Sequence, residues 1–150
     1  MLNRLGVTAQ KDGLRTMHSV IDVSTHGPGL YDITASVTEC IAEARAGSGL
    51  VNLFIQHTSA SLVIQENADP TVLQDLRTFF DDIAPRIRAY RHNSEGDDDM
   101  PAHIRAALTQ SNLLIPFEDN RLMLGSWQGV FVFEHRDRPH TRRVLATTIS

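Results

Sequence analysis

The chain lacks most of the features that assign a small protein to a class quickly. It has one cysteine, Cys40, in 150 residues. An intrachain disulfide is therefore excluded, and a reducing compartment fits. No apolar run approaches the roughly 20 residues that span a bilayer. Residues 1–10 show no apolar signal-peptide core, so a soluble cytoplasmic protein with no membrane partner is expected. Positive charge is not in excess either. The net charge is −4, which argues against a general nucleic-acid binder and leaves only the local cluster Arg136, Arg138, Arg142 and Arg143. There is no Gly-x-Ser-x-Gly elbow, Walker loop or Rossmann glycine pattern. His-Glu-x-x-His and Cys-x-x-Cys are missing too. Neither an internal repeat nor a low-complexity linker interrupts the chain. With 41% hydrophobic residues, residues 1–150 read as a single domain with its own core, 1–12 being a loosely held N-terminal arm.

What is present is an alternation of short apolar runs and turn residues. Residues 14–23 are rich in β-branched side chains and predict a strand, closed by the turn His26-Gly27-Pro28-Gly29. Residues 34–45 predict a helix capped by Asp32 or Thr34, with Val37, Cys40, Ile41 and Ala44 as its apolar stripe and Gly47 after its end. Cys40 then reads as a small core residue rather than a nucleophile. Two apolar segments, residues 50–55 and 62–64, flank a polar cluster. Asp69-Pro70 opens a second helix, because aspartate suits the N-cap and proline the first helical position. Val72, Leu73, Leu76, Phe79, Phe80 and Ile83 are expected to form its buried face. Residues 85–100 read as a loop, followed by a third helix from Pro101 that turns Ile104, Ala107 and Leu108 inward. Four further strands follow, at 113–117, 121–124, 130–135 and 142–149. Their short connections favour antiparallel pairing. The fold class is α+β, with about seven mostly antiparallel strands and about three helices.

The chemistry-bearing residues gather where elements change into loops, positions that commonly line sites. Residues 56–70 hold His57, the hydroxyls of Thr58, Ser59 and Ser61, and Glu66. They read either as pocket wall or as a hydroxyl-rich hairpin turn. Of seven histidines, His57, His103 and His135 sit at element ends. Together they suit a divalent metal such as Zn²⁺ with an open position, although no local ligand spacing supports it. His18, His26, His92 and His140 read as surface or structural. Asp97 and Asp98 could take Mg²⁺, directly or through a diphosphate, or simply belong to a solvated loop. Asp99, just ahead of Pro101, reads as a helix cap. Trp127 and Gln128, flanked by Gly125 and Gly129, suit stacking on a flat ring and reading its edge, or a tight hairpin. Arg136 suits a phosphate clamp, while Arg142 and Arg143 read as surface ion pairs.

Taken together, Gln56-His57-Thr58-Ser59-Ala60-Ser61, Glu66-Asn67-Ala68-Asp69-Pro70, the run from Glu95 to His103, and Gly125-Ser126-Trp127-Gln128-Gly129 with Glu134-His135-Arg136 strongly resemble the YjbQ family. The match runs over nearly the whole chain; Ser126 stands where the family usually has threonine. The resemblance implies a β-sandwich with flanking helices, assembled as a homotrimer. It also implies secondary thiamine-phosphate synthase activity, joining hydroxymethylpyrimidine diphosphate to hydroxyethylthiazole phosphate. The family's core polar positions fall on His57, Glu66, His103, Trp127, Gln128, His135 and Arg136. Expected catalytic residues are then His57, Glu66, His135 and Arg136, and expected substrate contacts Thr58, Ser59, Ser61, Trp127, Gln128, Asp97 and Asp98. The expected cofactor is a divalent metal (Zn or Mg) on His57, His103 and His135, and the expected partner a small phosphorylated metabolite. A metal-dependent hydrolase and a non-catalytic phosphometabolite-binding trimer are the competing functions.

Overall fold

In the computed structural model, residues 2–3, 9–11 and 13–150 are described. Antiparallel pairing organises them throughout. Strands β1 (Leu2–Asn3) and β2 (Ala9–Lys11) both pair with the long β3 (Leu14–Thr25). The expected N-terminal arm is thus strand-paired at these positions, and its remainder lies outside the described residues. β4 (Gly29–Asp32) and α1 (Thr34–Ala44) follow, then β5 (Gly49–Ile55), β6 (Ala60–Glu66) and α2 (Pro70–Ile83). α3 (Asp99–Leu108), β7 (Asn112–Glu118), β8 (Arg121–Leu122), β9 (Gln128–Glu134) and β10 (His140–Ile149) complete the chain.

Two sheets result. The larger has the order β1-β3-β10-β5-β7-β8 with β2 also on β3; the smaller is β4-β9-β6. Alternation explains the core. Val51, Leu53 and Ile55 on β5, Ile115 and Phe117 on β7, and Val144 and Ala146 on β10 are all buried, and they join Leu62, Val130 and Val132 of the small sheet in one cluster. Burying each such aliphatic side chain contributes about 1.5–3 kcal/mol. Val37, Cys40 and Ile41 of α1 belong to the same cluster, as their spacing predicts. Burial pushes the Cys40 thiol up to about 11, so it packs as a small apolar residue.

Four expectations change. β5 and β6 do not form a hairpin: β5 pairs with β10 and β7, and β6 with β9. Residues 56–59 therefore carry the chain from one sheet to the other. Likewise, of the four C-terminal strands only β7 and β8 pair with their sequence neighbour, because short loops can also step between the layers of a sandwich. α2 has the expected Asp69 cap, whose Oδ1 accepts from Thr71 N at 2.9 Å, and Pro70 begins it. It buries none of its residues fully. Phe80 meets Phe133 edge-on at 5.4 Å on the outer face of the small sheet, while Phe79 and Ile83 stay exposed. α3 starts at Asp99, and its buried residues are Asp99, Pro101, Ala102 and Arg105, with Leu108 turned to solvent. The inward face of α3 is thus partly charged.

Backbone geometry is restrictive at Gly49, with φ +155°. A Cβ there would lie 2.2 Å from the Ile149 carbonyl oxygen, so only glycine lets β5 start against the end of β10.

Candidate functional site

His57 lies in the segment that crosses between the sheets. With Thr58, His103, Thr109 and Ser111 it lines an open cleft of about 360 Å³ between that segment and α3. A second hollow of about 530 Å³ shares His57, Thr58 and Ser111 and extends over Phe54, Gln56 and Ser59. His57 is held firmly. Its Nε2 accepts from the Arg143 backbone N–H at 2.8 Å, and its Nδ1 lies 3.4 Å from Arg142 Nη1. Partial burial and the Arg142 charge lower its pKa, which keeps the ring neutral near pH 7.

Behind the cleft is a closed polar cluster. Arg142 grips Glu134 with two contacts of 2.6 Å, Nε to Oε2 and Nη2 to Oε1. Thr25 Oγ1 donates to Oε2 at 2.7 Å, and the backbone N–H groups of His135 and Arg136 donate to Oε1 at 3.0 Å. Glu134 is wholly buried. Burial alone would raise its pKa, but Arg142 and the other donors outweigh that and hold it below the usual carboxylate value. Arg142 Nη2 also donates to Ser59 Oγ at 3.1 Å. The pair thereby anchors the crossing segment that carries His57. Arg142 is thus not the surface ion pair expected; it points inward in step with Val144 and Ala146. Arg143 does pair at the surface, with Asp22 at 3.1 Å.

His135 is sealed beside this cluster. Its Nε2 lies 2.9 Å from Ser61 Oγ, and its ring packs against Phe133 at a tilt of 57°, centroids 4.4 Å apart. Its Nδ1 has no hydrogen-bond partner among the described residues. Burial pushes its pKa down to about 3. Ser61, also buried, contacts Thr109 Oγ1 at 2.6 Å. Of the three expected cradle hydroxyls, those of Ser59 and Ser61 are engaged inside the protein and only Thr58 borders the cleft without such a bond.

The three histidines expected to share a metal are not gathered within one chain. His103 instead meets His92 and Asp99, and one ligand atom from each of these three lies within 4.8 Å of the other two. His92 Nε2 is 2.7 Å and His103 Nε2 3.4 Å from Asp99 Oδ2. His103 Nδ1 contacts the Thr58 carbonyl at 2.9 Å. Arg136 is not free to clamp a phosphate: its Nε donates to Asp98 Oδ2 at 2.9 Å, its Nη1 to Asp99 Oδ1, and its Nη2 to the Glu95 carbonyl at 2.9 Å. Asp98 is buried and also accepts from Asp137 N. Asp99 is not a helix cap but a buried residue of the first turn. Asp97 is exposed, 3.9 Å from Arg86.

Glu66 and Trp127 lie elsewhere. Glu66 is at the other end of the seven-residue β6 from Ala60, about 20 Å away at the rise of an extended chain. Glu66 Oε1 accepts from Ala68 N and Asp69 N, shaping the entry to α2. It lines a shallow groove of about 460 Å³ with Asp69, Pro70, Val72 and the exposed Trp127. Gln128 Oε1 accepts from Gly125 N at 2.8 Å, so its amide braces the turn. One pocket expected from residues 56–70 is therefore two surfaces at opposite ends of β6.

Sequence reasoning missed Glu134, Arg142 and His92. A lone carboxylate ending the apolar run Val130–Phe133 was a signal for the first. Arg142 shares the alternation of Val144 and Ala146. The Asp99/His103 spacing of four residues puts both on one helix face, and it was the available pointer to His92's cluster.

A two-sheet antiparallel sandwich, with helices outside and a histidine-lined cleft where the chain crosses between sheets, defines a small α+β class. Comparison with known proteins makes it specific: residues 19–150 match the family model described as UPF0047 protein YjbQ-like. The chain belongs to that family. A UPF0047 protein of Synechocystis is 48% identical over 132 residues, covering 87% of this chain and 90% of the relative. The UPF0047 protein YjbQ of Escherichia coli O157:H7 is 38% identical over 128 residues, 85% of this chain and 93% of its own. Among solved structures, an uncharacterized YjbQ/UPF0047 family protein of Clostridium acetobutylicum superposes with TM-score 0.77 at 34% identity, covering 85% of this chain and 98% of that one. A YbjQ-like protein of Sulfolobus solfataricus P2, described as of unknown function, gives TM-score 0.84 at 23% identity over 91% and 99% of the two chains; it supports the fold alone. No helix among the described residues is long and apolar enough to cross a membrane.

Proposed function

We propose that the protein is a transferase with thiamine-phosphate synthase activity, acting on small phosphorylated metabolites at the cleft beside His57. The observation that carries this is the pair of adjoining hollows, about 360 and 530 Å³, which share His57, Thr58 and Ser111. A joining reaction needs two molecules side by side, and each hollow is in the size range of a small-molecule site. The thiazole ring nitrogen attacks the pyrimidine methylene carbon, and the carbon–oxygen bond breaks as diphosphate leaves with the electron pair. No protein nucleophile is required. The demand is for orientation and for positive charge on the leaving group. A neutral His57 and the Thr58 hydroxyl orient the organic partners, and a divalent metal held in part by His103, which lines the same cleft, would supply the charge.

Assembly as a homotrimer belongs to the same proposal. Leu50, Phe54 and Leu114 are exposed on the outer face of the large sheet, where β5 and β7 run side by side. Such a patch is costly to leave in water. The free, buried Cys40 suits a cytoplasmic setting.

The test is turnover of hydroxymethylpyrimidine diphosphate and hydroxyethylthiazole phosphate by purified protein supplied with Mg²⁺ or Zn²⁺. Thiamine phosphate above the no-enzyme control, lost in His57→Ala with an unchanged thermal midpoint, supports the proposal. No product from the folded protein refutes it. Product unaffected by His57→Ala moves the chemistry away from this cleft.

A further inference from the structure

We infer that His92, Asp99 and His103 form a binding site for one divalent transition-metal ion of the Zn²⁺ type, with at least one coordination position open to an anionic oxygen. The donor geometry is the first argument. A tetrahedral ion with bonds near 2 Å holds its donors about 3.3 Å apart. Asp99 Oδ2 and His103 Nε2 are 3.4 Å apart, Oδ2 and His92 Nε2 2.7 Å, and one ligand atom from each residue lies within 4.8 Å of the other two.

Outer contacts supply the second argument. A metal-binding histidine usually donates its other ring N–H to a carbonyl or carboxylate, which fixes the tautomer. His103 Nδ1 has the Thr58 carbonyl at 2.9 Å, so its proton sits there and the Nε2 lone pair faces Asp99. Asp99 is 1% exposed, and Arg136 Nη1 occupies its Oδ1. Oδ2 is thereby left to face both imidazoles. Asp99 and His103 share one face of α3, and His92 reaches in from the preceding loop.

Two imidazoles and one carboxylate prefer Zn²⁺, Co²⁺, Mn²⁺ or Fe²⁺ to Mg²⁺ or Ca²⁺. The neighbouring Asp97/Asp98/Asp137 group is the weaker candidate, since Arg136 and Asp137 N already engage Asp98 and Asp97 faces solvent near Arg86. Three protein ligands leave the ion a place for water or for a phosphate oxygen. His103 also lines the His57 cleft, while His92 lines a hollow of about 240 Å³ with Arg86, Arg88 and Asn93. The site deepens the transferase proposal by naming where the charge would be held. Metal retention is measured without substrate, so the two stand or fall separately.

The experiment strips the full-length protein with a chelator, then titrates Zn²⁺ alone by calorimetry and Co²⁺ alone by visible absorption. One ion per chain is expected, with Co²⁺ giving the intense bands of a low-coordinate site. His92→Ala and Asp99→Asn should each weaken binding by about 100-fold or more, since even outer-contact changes cost 10–100-fold. His92 is a half-exposed loop residue, so its variant reports on binding even where Asp99→Asn misfolds. His57→Ala should retain the ion. Wild-type protein that binds Zn²⁺ and Co²⁺ no better than His92→Ala overturns the site. Loss of the ion in His57→Ala, with full retention in His92→Ala, overturns it in favour of a different ligand set.

Discussion

Glu134 and Arg136 are two residues apart at the end of β9, yet they serve opposite kinds of polar cluster. Glu134 turns into the sandwich, where Arg142, Thr25 and two backbone N–H groups satisfy it without solvent. Arg136 turns outward and braces Asp98 and Asp99, next to imidazoles that remain partly exposed. The closed cluster has every Glu134 oxygen engaged and little room to change state. The open one has fixed outer contacts but an inner face that is only partly filled. That contrast separates scaffold from site better than residue type does, because both clusters are made of the same acids, arginines and histidines.

The largest effect should come from breaking the closed cluster. Arg142→Met leaves Glu134 buried without its counter-charge, held only by Thr25 and two backbone N–H groups, at a cost of about 3–5 kcal/mol; chemical denaturation measures it. A loss below 1 kcal/mol would put Glu134 in contact with water and erase the distinction. Acid should act next, through His135. Its pKa falls from 6.5 in the unfolded chain to about 3 in the folded protein. Between those values the unfolded chain binds the extra proton, so stability is complete above pH 6.5 and declines as pH falls, by about 1.4 kcal/mol per pH unit. Glu134, with its lowered pKa, adds acid sensitivity of the same sign at lower pH. Denaturant titrations from pH 7 to 4.5 should show the slope, and His135→Gln should flatten it by one proton.

A smaller loss, about 1–3 kcal/mol, is expected for Ser61→Ala, which takes from His135 its hydrogen-bond partner at Nε2. Least of all should be His92→Ala in the open cluster, within about 0.5 kcal/mol by the same denaturation measurement, as for most surface changes. A His92 variant as destabilised as Arg142→Met would show that both clusters are scaffold.

Much of the fold was legible because local rules and burial agreed. Asp69-Pro70 marked the start of α2, the Val37/Cys40/Ile41 stripe marked α1, and apolar runs between turn residues marked β7, β9 and β10. Expectations strayed where partner choice is non-local. Nothing in residues 50–64 says that β6 leaves its neighbour to pair with β9, and Glu66 lies away from His57 because it sits at the far end of that strand. Site residues were legible as types but not as neighbours. His57, Thr58 and His103 do meet, whereas His135 is enclosed and Arg136 is committed to Asp98 and Asp99. Arg142 was misjudged because a charge near other arginines resembles surface; its register with Val144 and Ala146 was the better guide.

The thin attachment of α2 has a consequence for how the molecule opens. A helix with no fully buried residue, held by Phe80 on Phe133 and by Arg105, which bonds Asp81 and the Ala84 carbonyl, has less free energy opposing its detachment than the central strands. Its amides should exchange with solvent deuterium through a sub-global opening that leaves β3, β10 and β5 protected, since those central strands release theirs only when the whole domain unfolds. The outer side of β9 would thereby become transiently reachable, and a protease supplied under native conditions should find its first cut in or beside this helix.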